Sequence, residues 1–339
     1  MGLSEKLGHL HPLLFSIIDN IRSLGWGGAF QLFRNGLVLG SLYALIALGY
    51  TMIYGILKLL NFAHGDVYMV GAFLGYGILT RLDGPLNLAI GIVPAIALMF
   101  AVAMAGSGVL GVSIERFAYR PLRNAPRIAP LITAIGVSFF LENSVQLLTN
   151  GYQYTYDPFE LGKHGNEEFG PLYHTAFTVA GNPVTNVQLF VVATALFLMV
   201  ALVLLVSRTR FGKSMRATAY DREAASMMGI DTDRVIAVTF FVASMLAGAA
   251  GVMFGLYLGV TYYFMGFLAG LKAFTAAVIG GIGSIPGAML GGLIIGLVES
   301  FAIGYVGGQW SDIVIFGLFI LFMLFRPRGL LGSRAIQKV

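Results

Sequence analysis

Asn61, Phe62, His64 and Asp66 fall within six positions in the stretch YGILKLLNFAHGD, residues 54–66, which is apolar at both ends. Their types suit the handling of a small polar solute better than bond making. Asn61 and His64 offer hydrogen-bond donors, Asp66 offers a negative charge, and Phe62 offers an apolar wall. In a soluble loop such a set is ordinary. Within a membrane span it is costly, and an intramembrane ionisable group is by default a functional-site hypothesis. Two readings stand. Either the segment breaks a helix into two halves, so that free N–H groups and a positive dipole end meet an anionic group, or it is a solvated turn at the membrane surface.

Whether a membrane is involved follows from composition. The 339 residues are 57% hydrophobic and only 11% charged, against about 25% charged in soluble domains. The mean hydropathy is +0.82. An integral membrane protein is the class that fits. A β-barrel requires strict apolar–polar alternation over roughly ten-residue segments. The apolar runs here are longer and do not alternate, so the expected fold is all-α, a polytopic bundle of about eight to ten membrane helices. The absence of cysteine excludes disulfides and thiolate metal sites. No metal site is expected, because His9, His11, His64, His164 and His174 lack ligand partners at useful spacing. No nucleophile stands with a base and an orienting group, so no enzyme activity is expected. The net charge of +5 reads as membrane topology, not nucleic-acid binding.

The clearest spans are 128–149, 187–206, 235–260 and 309–325; further apolar regions are 33–56, 60–80, 88–114, 264–282 and 286–304. Residues 1–28 read as an interfacial amphipathic segment, because charges interrupt a short apolar core and no cleavage site follows. Residues 29–330 form the membrane domain and 331–339 a tail. Arginine and lysine accumulate in 115–127, in 207–234 and after Phe325, which predicts these segments, with the C-terminus, to be cytoplasmic. The loop 150–186 holds one lysine and four acids and is expected outside. Gly251, Gly255 and Gly259 share a helix face, as do the pairs Gly287/Gly291 and Gly292/Gly296, which predicts close helix packing.

A second polar position, Lys272, lies in the apolar run FMGFLAGLKAFTAAVIGGIGSIPG, residues 264–287. It either snorkels to the external surface or faces a central cavity. GGIGSIPG reads as a tight cytoplasmic turn, with Pro286 opening the next helix. Glu142 and Glu299 are expected to be buried against a polar neighbour or to lie near an interface.

The loop 207–234 contains Gly212-Lys213-Ser214, but the glycine that a phosphate-binding loop needs five residues earlier is Ser207. A helix over 214–229 is expected instead, with Ser214 as N-cap and Gly229 beyond its end. Ala224 and Ala225 permit close contact, and Met227 and Met228 are adaptable apolar knobs. Arg216, Asp221, Arg222 and Glu223 make a polar rim. Such a helix either docks a partner or lies on lipid headgroups.

EAASMMG, residues 223–229, resembles the Glu-Ala-Ala-x-x-x-Gly motif of ABC-importer permeases. NGLVLGSLYALIALGYTMIYGILKLLNFAHGDVYMVGAF, RATAYDREAASMMGIDTDRVIAVTF and GFLAGLKAFTAAVIGGIGSIPGAMLGGLIIG resemble the permease subunits, H-type, of bacterial branched-chain amino-acid ABC importers. The resemblance covers roughly residues 30–330. It implies that Arg216, Asp221, Glu223, Ala224, Ala225 and Gly229 belong to a coupling helix. It implies a second related permease subunit, two cytoplasmic ATPases that use ATP and Mg, and a periplasmic binding protein that delivers leucine, isoleucine or valine. It also implies a bacterial inner-membrane location, alternating access and no cofactor in this chain. The substrate pathway would then involve Asn61, Phe62, His64, Asp66 and Lys272. The rivals are the same machine for urea or another amino acid, and a stand-alone secondary transporter or channel.

Overall fold

The computed structural model describes residues 3–83, 92–123, 125–126, 128–156, 174–179 and 181–332. Helix α1 (Leu3–Leu57) kinks at Gly25, where φ is 51°. It is followed by α2 (His64–Asp83) and α3 (Ile92–Ile114). The latter runs on through a π-helical turn (Glu115–Tyr119) and a 3-10 turn (Arg120–Leu122). Then come α4 (Ile128–Thr149), the strands β1 (Tyr154–Thr155), β2 (Thr175–Val179) and β3 (Asn182–Thr185), and α5 (Asn186–Arg208). The short helices α6 (Arg210–Tyr220) and α7 (Arg222–Met227) precede α8 (Thr232–Leu258) and β4 (Val260–Thr261). The chain closes with α9 (Met265–Gly280), α10 (Ile285–Tyr305) and α11 (Ser311–Phe325). This is the expected all-α polytopic bundle. Most side chains of the expected interfacial segment 1–28, much of loop 150–186 and the tail 333–339 lie outside the described residues.

Seven helices among the described residues are long and apolar enough to cross a bilayer. Two further helices, α2 and α9, complete the interior. The most apolar window is 89% buried in α1 and 72% in α8, but only 28% in α4 and α5. So α1 and α8 form the centre. The outer helices turn Phe140, Phe197 and Leu324 outward, an arrangement suited to hydrocarbon surroundings.

Glycines set the distances. On α10, Gly292 and Gly296 meet the backbone of Ala44 and Gly40 on α1, while Gly287 and Gly291 meet Gly280 and Ala276 on α9. A Cβ at Gly296 would stand 2.1 Å from the Gly40 nitrogen. Both predicted pairs therefore pack helices. The third set divides. Gly251 meets Tyr68 and Ala72 of α2, and Gly255 lies under the Tyr156 ring. Gly259 does not pack; it ends α8 with φ 70°, a left-handed cap that favours glycine.

Region 264–282 differs from the expected full span. Helix α9 has only 16 residues, about 24 Å, short of the roughly 30 Å hydrocarbon core. It is preceded by the extended β4, paired antiparallel with β1 (Tyr154 opposite Thr261). Tyr156, fully buried, follows this pair and reaches Gly75 on α2 and Gly255 on α8. Irregular backbone at such depth is tolerated because protein surrounds it. The β2–β3 pair is held to α1 at the same end: Arg34 donates to the Pro183 carbonyl, and Asn182 donates to the Gly27 carbonyl at 2.7 Å.

Lys272 ties three helices. Its ammonium lies 2.6 Å from Glu299 on α10 and 2.8 Å from Asp312 on α11. It neither snorkels outward nor faces the cavity described below.

Two outcomes are expected from this packing. Gly296→Val forces α1 and α10 apart and costs about 1–3 kcal/mol, seen as a lower Tm of the detergent-solubilised protein. Gly317→Ala, where a Cβ meets nothing within 4 Å, serves as the neutral control. Lys272→Met leaves two acids without a counter-charge and costs about 3–5 kcal/mol. The triple variant with Glu299→Gln and Asp312→Asn recovers part of that Tm loss.

Candidate functional site

Helix α1 stops at Leu57 because Lys58 adopts φ 56°. Helical bonding resumes when His64 N donates to the Asn61 carbonyl and Asp66 N to the Ala63 carbonyl, both at 3.1 Å. Residues 58–63 thus interrupt the helix. Lys58 is exposed, whereas Asn61, His64 and Asp66 are buried in protein. The break is closed by small residues. Gly65 touches Gly266 and Gly270 at the start of α9, and Gly49 leaves room for the His64 ring. His64 meets the Tyr50 ring edge-on at 4.9 Å. The Tyr119 hydroxyl lies 3.1 Å from both the Leu60 carbonyl and Asn61 Oδ1, which share its one proton.

Asp66 stands in the first turn of α2, where the dipole favours a negative charge. Ser138, midway along α4, donates to Asp66 Oδ2. The Glu142 carboxyl, one turn further along the same face of α4, adjoins Asp66. In front of Ser138 opens a cavity of about 210 Å³, lined by Tyr50, Phe62, Ile135, Ser138, Phe139, Phe267 and Leu271. Drug-sized pockets run from about 300 Å³ upward, so the space suits a smaller molecule. Its walls are apolar apart from the Tyr50 and Ser138 hydroxyls. Such walls suit a small, largely apolar body.

Of the expected pathway residues Phe62 lines this cavity, whereas His64 and Asp66 are buried behind its wall, Asp66 being linked to it through the bond from Ser138. Asn61 lines a smaller adjoining pocket with Tyr50 and Phe274. Lys272 lies apart, in its ion cluster; its neighbour Leu271 lines the cavity instead. Tyr50, Ser138, Phe139 and Phe267 were missed from sequence. Ser138 and Glu142, four residues apart in the apolar α4, carry the one legible signal, a polar stripe on one helix face. The carboxyl of Glu142 has its polar neighbour in Asp66. No cluster of possible metal ligands occurs among the described residues.

The second candidate region differs from the single helix expected over 214–229. It is two helices, α6 and α7, broken at Asp221. Thr209, not Ser214, caps the first, accepting from Gly212 N at 3.1 Å. Asp221 caps the second, accepting from Glu223 N and Ala224 N at 3.1 Å each. An aspartate competes with the helix backbone for its own amides, so it starts a new helix more readily than it continues one. Gly229, with φ 81°, follows the end of α7 as expected. Arg216 and Arg222 are exposed, yet each bonds back toward the membrane helices. The former donates to the Val206 carbonyl at the end of α5, and the latter to Asp233 at 3.2 Å. Glu223, Ala224, Met227 and Met228 are exposed, while Ala225 is buried. A groove of about 470 Å³ runs beside them, lined by Arg216, Ala217, Tyr220, Asp221, Ala224, Ala225, Met228 and Ile230.

The family described as branched-chain amino acid transport system / permease component matches residues 32–323. The high-affinity branched-chain amino acid transport system permease protein BraD of Pseudomonas aeruginosa is 44% identical over 306 residues, 90% of this chain and 96% of its own. The corresponding permease protein LivH of Escherichia coli K12 is 44% identical over 311 residues, with the same coverage. A more distant relative is the autoinducer 2 import system permease protein LsrC of Yersinia enterocolitica. It is 32% identical over 135 residues, 38% of each chain. No solved structure matches the chain significantly. With a buried polar break inside a helical membrane bundle, and a family match over most of its length, this chain belongs to the permease components of branched-chain amino acid transport systems.

Proposed function

We propose that this chain is the membrane-spanning permease subunit of an ATP-driven importer that moves leucine, isoleucine and valine across the bacterial inner membrane. The observation that carries this reading is the short exposed helix α7. It presents Glu223, Ala224, Met227 and Met228 outward beside an open groove, and its other face is bonded to the membrane helices. A lone carrier has no need of such a knob. A subunit driven by a cytoplasmic ATPase does, since small and flexible apolar residues fill a partner's pocket. The relatives named for branched-chain amino acid transport support the substrate class.

In this reading two ATPase subunits bind and hydrolyse ATP with Mg, a second permease subunit completes the path, and a periplasmic protein delivers the amino acid. The C-terminus, 115–127 and 207–234 face the cytoplasm. This chain makes and breaks no covalent bond and carries no cofactor. Its task is to lower the cost of passing a zwitterion through hydrocarbon. The ammonium meets Asp66, supported by Ser138 and Glu142. The branched side chain lies among Phe62, Phe139, Phe267 and Leu271. The carboxylate meets the donors around Asn61 and the free amides of the break. Alternating access then exposes this site to one side and the other.

The deciding experiment is leucine uptake into proteoliposomes holding the assembled complex. Uptake is expected to require internal ATP and external binding protein. Downhill flux through this chain alone, without ATP, would overturn the reading in favour of a carrier or channel. Saturable, ATP-dependent uptake of another solute, with no leucine uptake, would move the substrate class. Asp66→Asn is expected to lower leucine uptake about tenfold at normal assembly, the loss of one charged hydrogen bond. Ala224→Glu is expected to abolish binding-protein-stimulated ATP hydrolysis, whereas Ala224→Ser retains it.

A further inference from the structure

The basic loop after α3 does more than mark topology. Asp233, in the first turn of α8, gathers three arginines: Arg222 from α7 at 3.2 Å, and Arg120 and Arg123 from the segment after α3. Arg123, itself buried, also pairs with Glu115, the first residue of the π-helical turn. The last residue of that turn is Tyr119, which is buried and holds Leu60 and Asn61 at the break between α1 and α2. So the two ends of one five-residue turn face opposite tasks. One end is bonded to the charges that hold α7, and the other to the backbone next to the cavity.

A π turn carries one residue more than the helix it interrupts. It can return to α geometry by passing that residue along, which rotates the side chains on one side against those on the other. A wide turn of this kind has ordinary α pairing as its alternative, and coupling between distant sites requires an element with such a second arrangement. Its position is specific: Glu115 and Tyr119 are both nearly inaccessible, at 2% and 1% exposure, so neither moves without shifting its partner.

Resting on the coupling role given above to α7, we propose that the π turn Glu115–Tyr119 is the joint that carries movement of α7 to the Leu60–Asn61 break. Asp233 is its input and the Tyr119 hydroxyl its output. These are positioning residues; none touches the transported solute.

The test is the number of leucine molecules taken up per ATP hydrolysed by the reconstituted complex. It compares the wild type, Asp233→Asn, Tyr119→Phe and the double variant. Both substitutions keep shape. Each single variant is expected to assemble and to hydrolyse ATP, but with the ratio lowered roughly threefold or more. The double variant is expected to be no worse than the more damaging single one, because both cut the same route. A wild-type ratio in either single variant, or a double variant whose loss is the product of the two, would overturn the proposal. If Asp233→Asn fails to assemble, Arg222→Gln on the exposed rim takes its place under the same criteria. Ala224→Glu, run alongside, separates the two readings. If it leaves transport intact, the coupling role of α7 has failed. If it abolishes transport while Tyr119→Phe keeps the wild-type ratio, only the joint has failed.

Discussion

A backbone amide that leaves its helix inside hydrocarbon has no water to bond, and this constraint shapes the centre of the molecule. The chain breaks helical pairing at residues 58–63 and again between Gly259 and Phe264. Both breaks are affordable only because other backbone seals them. Gly65 lies on Gly266 and Gly270, so the two helices that restart after the breaks touch at their first turns. The tight contacts of α10 with α1 and α9 bring the surrounding helices near enough to exclude lipid. Where the helix is interrupted, backbone donors and a dipole end come free beside the cavity.

The bundle divides its labour by depth. The middle layer, with α1 and α8, is rigid and nearly all buried. Lys272, Glu299 and Asp312 join α9, α10 and α11 into one unit with a single positive charge between two acids. A buried cluster of this kind contributes less to stability than to register, since only one alignment of three helices brings the charges together. Helix α4 stands apart from this unit and rests on α2, where Ser138 donates to Asp66 and Glu142 adjoins it.

Much of this was legible in the sequence. The spans, the polar stretch at 61–66 and the glycine pairs on α10 rest on local patterns, hydropathy and spacing, which a single chain displays directly. The exposed helix near Glu223 was legible as a helix, but not its division at Asp221. Helix-forming alanines and methionines on both sides hid a residue that prefers to cap. Lys272 shows the limit more sharply. An isolated lysine in an apolar run has several outcomes, and the choice was made by Glu299 and Asp312, 27 and 40 positions later. The cavity wall was illegible for the same reason. Phe139 and Phe267 are ordinary apolar residues of ordinary helices, and only the tertiary fold sets them on the wall of one cavity. The β1–β4 pair, two residues on each side, is too short to leave any periodic trace.

That short pair has a mechanical consequence. Tyr154 and Thr155 follow the end of α4, and Val260 and Thr261 follow the end of α8, so the ladder stitches these two helices together at one end. Tyr156, wedged between α2 and α8, locks the stitch. Helix α4 is therefore held near both ends, by the ladder after its last turn and by the Arg123 ion pairs with Asp233 and Glu115 just before its first, so Ser138 lies midway between two anchors.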